Sequence, residues 1–358
     1  MMKLTTLKSL YVNLFVVLFY SFAVTAISQT KYSNHDVPAV IAFGDSILDT
    51  GNNNHIETVM RANRKPYGRD FLDGKPTGRF CNGRIPSDLL VEILGIKEAL
   101  PPYLDPNLKI EDLLTGVCFA SAGTGFDPLT VKLASVISAE DQLKMFQEYI
   151  GKLQEAVGKE KTALILAKSI IVISMGSNDI AGTYFASPFR RFEYNVEEYT
   201  SLLINSSSNF VQELYKFGAR RIGVLGLSPI GCVPLQRTLE GGPERDCVKS
   251  INEAAIIYNT KLTSSLEALS ISLPKARLVY LENYNEFNEI IQHYNELGFE
   301  VADSACCGGT ELVCGPLALT ICKDDAKYVF WDSYHPTDRT YSMVVSKIAK
   351  RDLAKFFK

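Results

Sequence analysis

The stretch Ala39-Val40-Ile41-Ala42-Phe43-Gly44-Asp45-Ser46 decides how the rest of the chain is read. Five apolar residues in succession make a strand buried on both faces, and the glycine after them lets the chain turn sharply. Ser46 then stands just past the strand's carboxyl end, presented to solvent rather than buried. Further short apolar runs at residues 116–120, 170–175, 221–225 and 277–280 read as buried strands. Amphipathic segments at 87–94, 141–157, 196–217, 252–269 and 284–294 read as the helices between them.

This strand and helix alternation predicts an α/β chain with a mostly parallel sheet covered on both faces, and ligands bind such sheets at the carboxyl ends of the strands. Small and hydrogen-bonding residues gather at those ends. The first strand runs into Gly44-Asp45-Ser46, the second into Ser121-Ala122-Gly123-Thr124-Gly125, and the third into Gly176-Ser177-Asn178-Asp179.

Four histidines allow elimination. His35 lies in a flank near the amino terminus, His55 follows Asn52-Asn53-Asn54, and His293 sits on an expected helix. His335 differs, because in Trp331-Asp332-Ser333-Tyr334-His335-Pro336 a carboxylate precedes the imidazole by three residues. Asp332 can bend back in a turn to accept the Nδ1 proton, leaving Nε2 free to take one from a serine. On this segment alone, a turn cap beside an ordinary loop histidine fits as well. The combination with Ser46 is what favours a triad. Ser228, the rival serine, lies in Gly226-Leu227-Ser228-Pro229-Ile230-Gly231, where the second glycine comes one residue late for a nucleophile elbow. Pro229 also lacks the N–H such an elbow supplies, so Ser228 reads as structural.

Acyl transfer needs donors aimed at the oxygen that becomes negative. The candidates are the N–H groups of Ser46 and Gly123 and the side-chain amide of Asn178. An ordinary loop glycine and an Asx turn are the plain readings of the last two. Tyr184, Phe185 and Phe189, shortly after Asn178, suit an acyl pocket and core packing equally.

Lys3 and Lys8, an apolar stretch at 10–24, and small residues Ala26 and Ser28 have the layout of a cleaved secretory signal, expected over 1–28. The apolar run is shorter than the roughly 20 residues a spanning helix needs, and no membrane anchor is expected in the mature chain. Residues 163–175, interrupted by Lys168 and Ser169, read as a helix end entering a strand. No linker, repeat or charge block divides residues 29–358, so a single domain is expected. A net charge of −3 with scattered basic residues argues against nucleic acid as a partner.

Eight cysteines behind a signal sequence suggest disulfides. A Cys232 to Cys247 loop and local staples among Cys306, Cys307, Cys314 and Cys322 are expected, with Cys81 and Cys118 unassigned. No C-x-x-C pair or adjacent histidine completes a zinc site, and neither a metal nor a cofactor is expected. Asn205-Ser206-Ser207 is a glycosylation acceptor.

Taken together, the chain resembles the plant GDSL-type esterases and lipases of the SGNH hydrolase superfamily, especially extracellular lipases of pollen coats. The blocks that carry the likeness are Phe43-Gly44-Asp45-Ser46 with Asp49 and Gly51, residues 77–84, the glycine loop at 119–125, Gly176-Ser177-Asn178-Asp179, Cys306-Cys307-Gly308, and residues 331–336. The resemblance implies a three-layer α/β/α, flavodoxin-like SGNH-hydrolase fold. It also implies a Ser46, His335, Asp332 triad, an oxyanion hole from Ser46, Gly123 and Asn178, and an extracellular setting such as cell wall or pollen coat. Ala122 and Cys118 depart from the family pattern, and Ala122 would matter only at a positive φ. The expected reaction is hydrolysis of lipid or other acyl esters. The same residues would also serve transfer to another alcohol or deacetylation of a polysaccharide, and a secreted lipid- or wall-binding protein is the non-catalytic alternative.

Overall fold

The structure, a computed structural model of the chain, describes residues 37–308, 314–315 and 321–357. The expected signal sequence and His35 lie outside the described residues. Strands β1 (Val40–Gly44), β2 (Ile170–Ser174), β3 (Arg221–Leu225) and β4 (Arg277–Leu281) form a parallel sheet in that spatial order.

The expected strand at 116–120 is only partly realised. Ala42 donates to the Val117 carbonyl at 3.2 Å and accepts from the Phe119 N–H at 2.7 Å, a single parallel bridge on the outer edge of β1. The rest of its backbone is committed elsewhere: Asn52 Nδ2 takes the carbonyls of Cys118 and Ala120, and the Cys118 N–H goes to Pro101. With this segment counted as the second strand, the order is 2-1-3-4-5, that of flavodoxin-like folds, whose ligands sit where the chain reverses direction across the sheet. That point lies beside β1, the strand that ends at Ser46.

Alternate strand residues feed two cores. Ile41, Phe43, Ile171 and Ile173 pack on one face beneath helices Ala139–Val157, Val196–Lys216 and Lys249–Ser272. Val40, Ala42, Ile170 and Val172 pack on the other, beneath Pro86–Ile93, Tyr284–Gln292 and the final helix, Asp338–Asp352. The three layers match the expected fold class, and the second apolar stretch divides into helix Lys159–Lys168 and β2 as read.

Two further strands, β5 (Val301–Ala305) and β6 (Tyr328–Phe330), pair with each other outside the main sheet. Within β5 only Ala302 is buried, so no apolar run announced it. Disulfides join Cys232 to Cys247, Cys306 to Cys322 and Cys307 to Cys314, while Cys81 and Cys118 are free and buried. Closing a loop of about 15 residues stabilises a fold by about 3 kcal/mol in the chain-entropy account. No helix among the described residues is long and apolar enough to cross a membrane.

Candidate active site

The serine turn is built by what surrounds Gly44. Its φ of 137° favours glycine, and a Cβ there would lie 1.9 Å from the Ser174 carbonyl oxygen. This close approach lets the Asp45 N–H donate to that same oxygen at 2.9 Å, fastening the turn to the end of β2. Gln142, reaching from helix Ala139–Val157, clamps Gly44 on both sides: its Oε1 accepts the Gly44 N–H and its Nε2 donates to the Gly44 carbonyl, each at 2.9 Å. Ser46 is thereby held at a fixed point and, contrary to the expectation that it is presented to solvent, is buried with 8% of its surface exposed, because His335 covers its hydroxyl.

His335 reaches it from the far end of the chain. The Ser46 Oγ lies 2.7 Å from His335 Nε2, and His335 Nδ1 lies 2.8 Å from Asp332 Oδ1. Asp332 is fixed by its own turn, accepting the backbone N–H groups of Tyr334 and His335 at 2.9 and 2.7 Å. Tyr67, for which the sequence held no signal, donates its hydroxyl to Asp332 Oδ2 at 2.7 Å. Burial, and then the Asp332 charge, push the Tyr67 hydroxyl well above its ordinary range, so it stays a donor. The Phe80 ring packs against the imidazole at 4.8 Å. Its neighbour Arg79 makes a buried two-pronged pair with Asp88 at 2.7 Å, which fixes the backbone that presents Phe80.

The other two expected donors belong to segments tied to the same strand end. The Ser121 N–H donates to the Gly44 carbonyl at 2.9 Å, and Asn178 Nδ2 donates to the Thr124 carbonyl at 2.9 Å. One Asn178 amide hydrogen is spent there and the second remains. Gly123 has φ of 89° whereas Ala122 does not adopt a positive φ, so alanine is tolerated at 122. Neither the Ser46 nor the Gly123 N–H is engaged in a hydrogen bond among the described residues.

Two buried carboxylates hold this loop. Asp49 accepts from Gly51, Asn52 and Ala122, and Asp179 accepts from the Phe126 and Asp127 N–H groups and the Thr130 hydroxyl. Gly125 has to be glycine because a Cβ would meet the Asp179 carboxylate at 2.0 Å. Burial raises Asp49 to about 6 and Asp179 to about 7, against the backbone donors that lower both. Asp45 is also raised to about 7 by burial, and its Oδ2 has no hydrogen-bond partner while Oδ1 accepts the Ile47 N–H.

Other candidates fall outside this cluster. Ser228 makes no part of the relay. Tyr184 stacks on Tyr199 and Phe185 packs against the core, whereas Phe189 is exposed on a separate helix, Pro188–Glu193. Asn205 is exposed, on helix Val196–Lys216 rather than on a loop. No group of three or more candidate metal ligands occurs among the described residues.

A serine hydroxyl, an imidazole and a carboxylate linked in that order on a flavodoxin-like sheet define the serine-hydrolase class of site. The GDSL-like Lipase/Acylhydrolase family matches residues 40–348, and the chain belongs to that family of carboxylic ester hydrolases. It is 49% identical to the GDSL esterase/lipase EXL3 of Arabidopsis thaliana, over 89% of each chain. A second GDSL esterase/lipase of Arabidopsis thaliana is 46% identical over 90% of this chain and 82% of its own. Among solved structures, a catalytic mutant of Axe2, an acetylxylan esterase from Geobacillus stearothermophilus, is similar with a TM-score of 0.40 and 14% identity, covering 92% of this chain and 97% of its own.

Proposed function

We propose that the chain hydrolyses carboxylic esters through an acyl-enzyme on Ser46. The observation that carries this reading is the 2.7 Å contact between Ser46 Oγ and His335 Nε2, with the opposite face of the imidazole held by Asp332. His335 takes the serine proton as Oγ attacks the ester carbonyl. The oxygen that becomes negative is met by the Ser46 and Gly123 N–H groups and the free amide hydrogen of Asn178. His335 then gives its proton to the departing alcohol, and the acyl group remains on Ser46. Water, deprotonated by the same nitrogen, releases the acid. Asp332 orients the ring and stabilises the imidazolium.

The setting is proposed to be extracellular, with residues 1–28 removed and Asn205 glycosylated. The leader-like start and three disulfides support this, because cystines persist in oxidising compartments. The reaction is tested with p-nitrophenyl acetate and the Ser46→Ala variant. Turnover that vanishes in the variant supports the reading, and equal rates in folded wild-type and variant protein overturn it.

A further inference from the structure

Ser46 follows β1, whereas the turn that carries Asp332 and His335 lies between β6 and the final helix. One segment, residues 79–88, is bonded to both neighbourhoods. On the serine side, Arg79 Nη1 donates to the Thr50 carbonyl at 3.1 Å and Ser87 Oγ donates to the Leu48 carbonyl at 2.7 Å. On the histidine side the tie runs through Asn82, which is buried. Its Nδ2 donates to Asp325 Oδ2 at 2.6 Å, and its Oδ1 accepts the Asp338 N–H at 2.9 Å. Asp325 stands just before β6 and Asp338 opens the final helix, so one side chain grips both ends of the stretch that carries the carboxylate and the base.

The grip is made rigid by its surroundings. The second amide hydrogen of Asn82 goes to Asp70 Oδ2 at 2.9 Å, so both of its donors and its acceptor are engaged. Arg69 holds the other oxygen of Asp325, and Arg84 holds Asp338 through its backbone N–H at 2.6 Å and its guanidinium at 3.0 Å. The backbone here also places the tyrosine that clamps Asp332: just past Tyr67, the Gly68 N–H donates to the Cys81 carbonyl at 2.9 Å and the Asp70 N–H to the Asn82 carbonyl at 2.8 Å. Phe80, two residues before Asn82, lies against the imidazole.

We propose that Asn82 is a positioning residue of the relay: spanning Asp325 and Asp338 from a segment already bonded to Leu48 and Thr50, it sets the distance from His335 Nε2 to Ser46 Oγ. The proposal rests on the reading of Ser46 as the nucleophile and His335 as its base. The side-chain bonds of Asn82 go to Asp70, Asp325 and Asp338, so it acts on the ester through the imidazole. A misplacement of about 1 Å in a reacting group costs about 10²-fold in rate.

The test compares wild-type protein with Asn82→Asp, Asp325→Asn and the variant carrying both. Asn82→Asp sets two carboxylates face to face. The double variant exchanges donor and acceptor, so that the amide at position 325 donates to the carboxylate at position 82, which still accepts the Asp338 N–H. Turnover of p-nitrophenyl acetate is expressed per Ser46 labelled to completion by a methylphosphonate p-nitrophenyl ester. The expected result is a kcat lowered about 10²-fold in Asn82→Asp with KM little changed, a smaller loss in Asp325→Asn, and recovery of most of the loss in the double variant. A role confined to folding lowers the labelled fraction and leaves kcat per labelled serine at the wild-type value, which overturns the proposal. So does a double variant no faster than Asn82→Asp. Should Asn82→Asp fail to fold, Asp325→Asn decides, and an unchanged kcat there overturns the proposal too. Acetate hydrolysis that persists in Ser46→Ala strikes the nucleophile itself, whereas serine-dependent turnover indifferent to Asn82 strikes this proposal alone.

Discussion

Tyr67 donates its hydroxyl to Asp332 at 2.7 Å, across a separation of 265 residues. The same hydroxyl oxygen accepts the backbone N–H of Cys314 at 3.0 Å, and Cys314 is bonded to Cys307. The carboxylate that orients the imidazole is thus held by its own turn on one side and by a disulfide-anchored tyrosine on the other.

Replacing Tyr67 with phenylalanine removes one charge-assisted hydrogen bond of a kind worth about 1.5–3 kcal/mol. The loss should lower kcat by about 10- to 100-fold with KM little changed, since the bond acts on the relay and not on substrate. Steady-state kinetics on a short ester separate the two parameters.

Asn178→Ala should cost about 10²- to 10³-fold in kcat, the usual consequence of losing an oxyanion donor. Because Asn178 also pins Thr124, the comparison should include binding of a trifluoromethyl ketone that forms the tetrahedral adduct. Weakened adduct binding in a normally folded variant identifies the donor, and unchanged turnover removes Asn178 from that role.

Gly44→Ala tests the serine turn itself. With φ of 137° and the Ser174 carbonyl oxygen 1.9 Å from the added Cβ, the turn has to part from β2, at a cost of about 3 kcal/mol or more. Denaturant unfolding should show the loss of stability, and any soluble protein should be inactive.

Asp45 gives stability a dependence on pH. Burial holds its carboxyl at about 7 in the folded chain, against about 3.9 in an unfolded one. The folded state therefore binds the extra proton between those values, so stability falls as pH rises from about 4 to 7 and levels off above. Asp49 and Asp179, raised to about 6 and 7, act in the same direction. Thermal unfolding at pH 5 and pH 8 should show the higher midpoint at pH 5, and Asp45→Asn, which keeps an acceptor for Ile47, should narrow the gap.

Much of the site was legible because its chemistry is written locally. Ser46 follows a visible strand, Asp332 and His335 share one turn, and Gly123 and Asn178 each end a recognisable segment. Tyr67 and Gln142 were not legible, since nothing in their own surroundings distinguishes them; each matters through one contact made far along the chain. The strand read at 116–120 shows the limit of apolar patterning: hydrophobicity marked it as buried, but Asn52 and the Pro101 carbonyl took the hydrogen bonds a full strand would have needed. Strand β5 shows the converse, a pairing that no apolar run announces.

The two ends of the relay stand 289 residues apart, with Ser46 just past the first strand and His335 just before the final helix. Synthesis therefore delivers the hydroxyl early and the imidazole nearly last. A chain still being made therefore holds the Ser46 hydroxyl without the imidazole that contacts it until nearly all of its residues have been added.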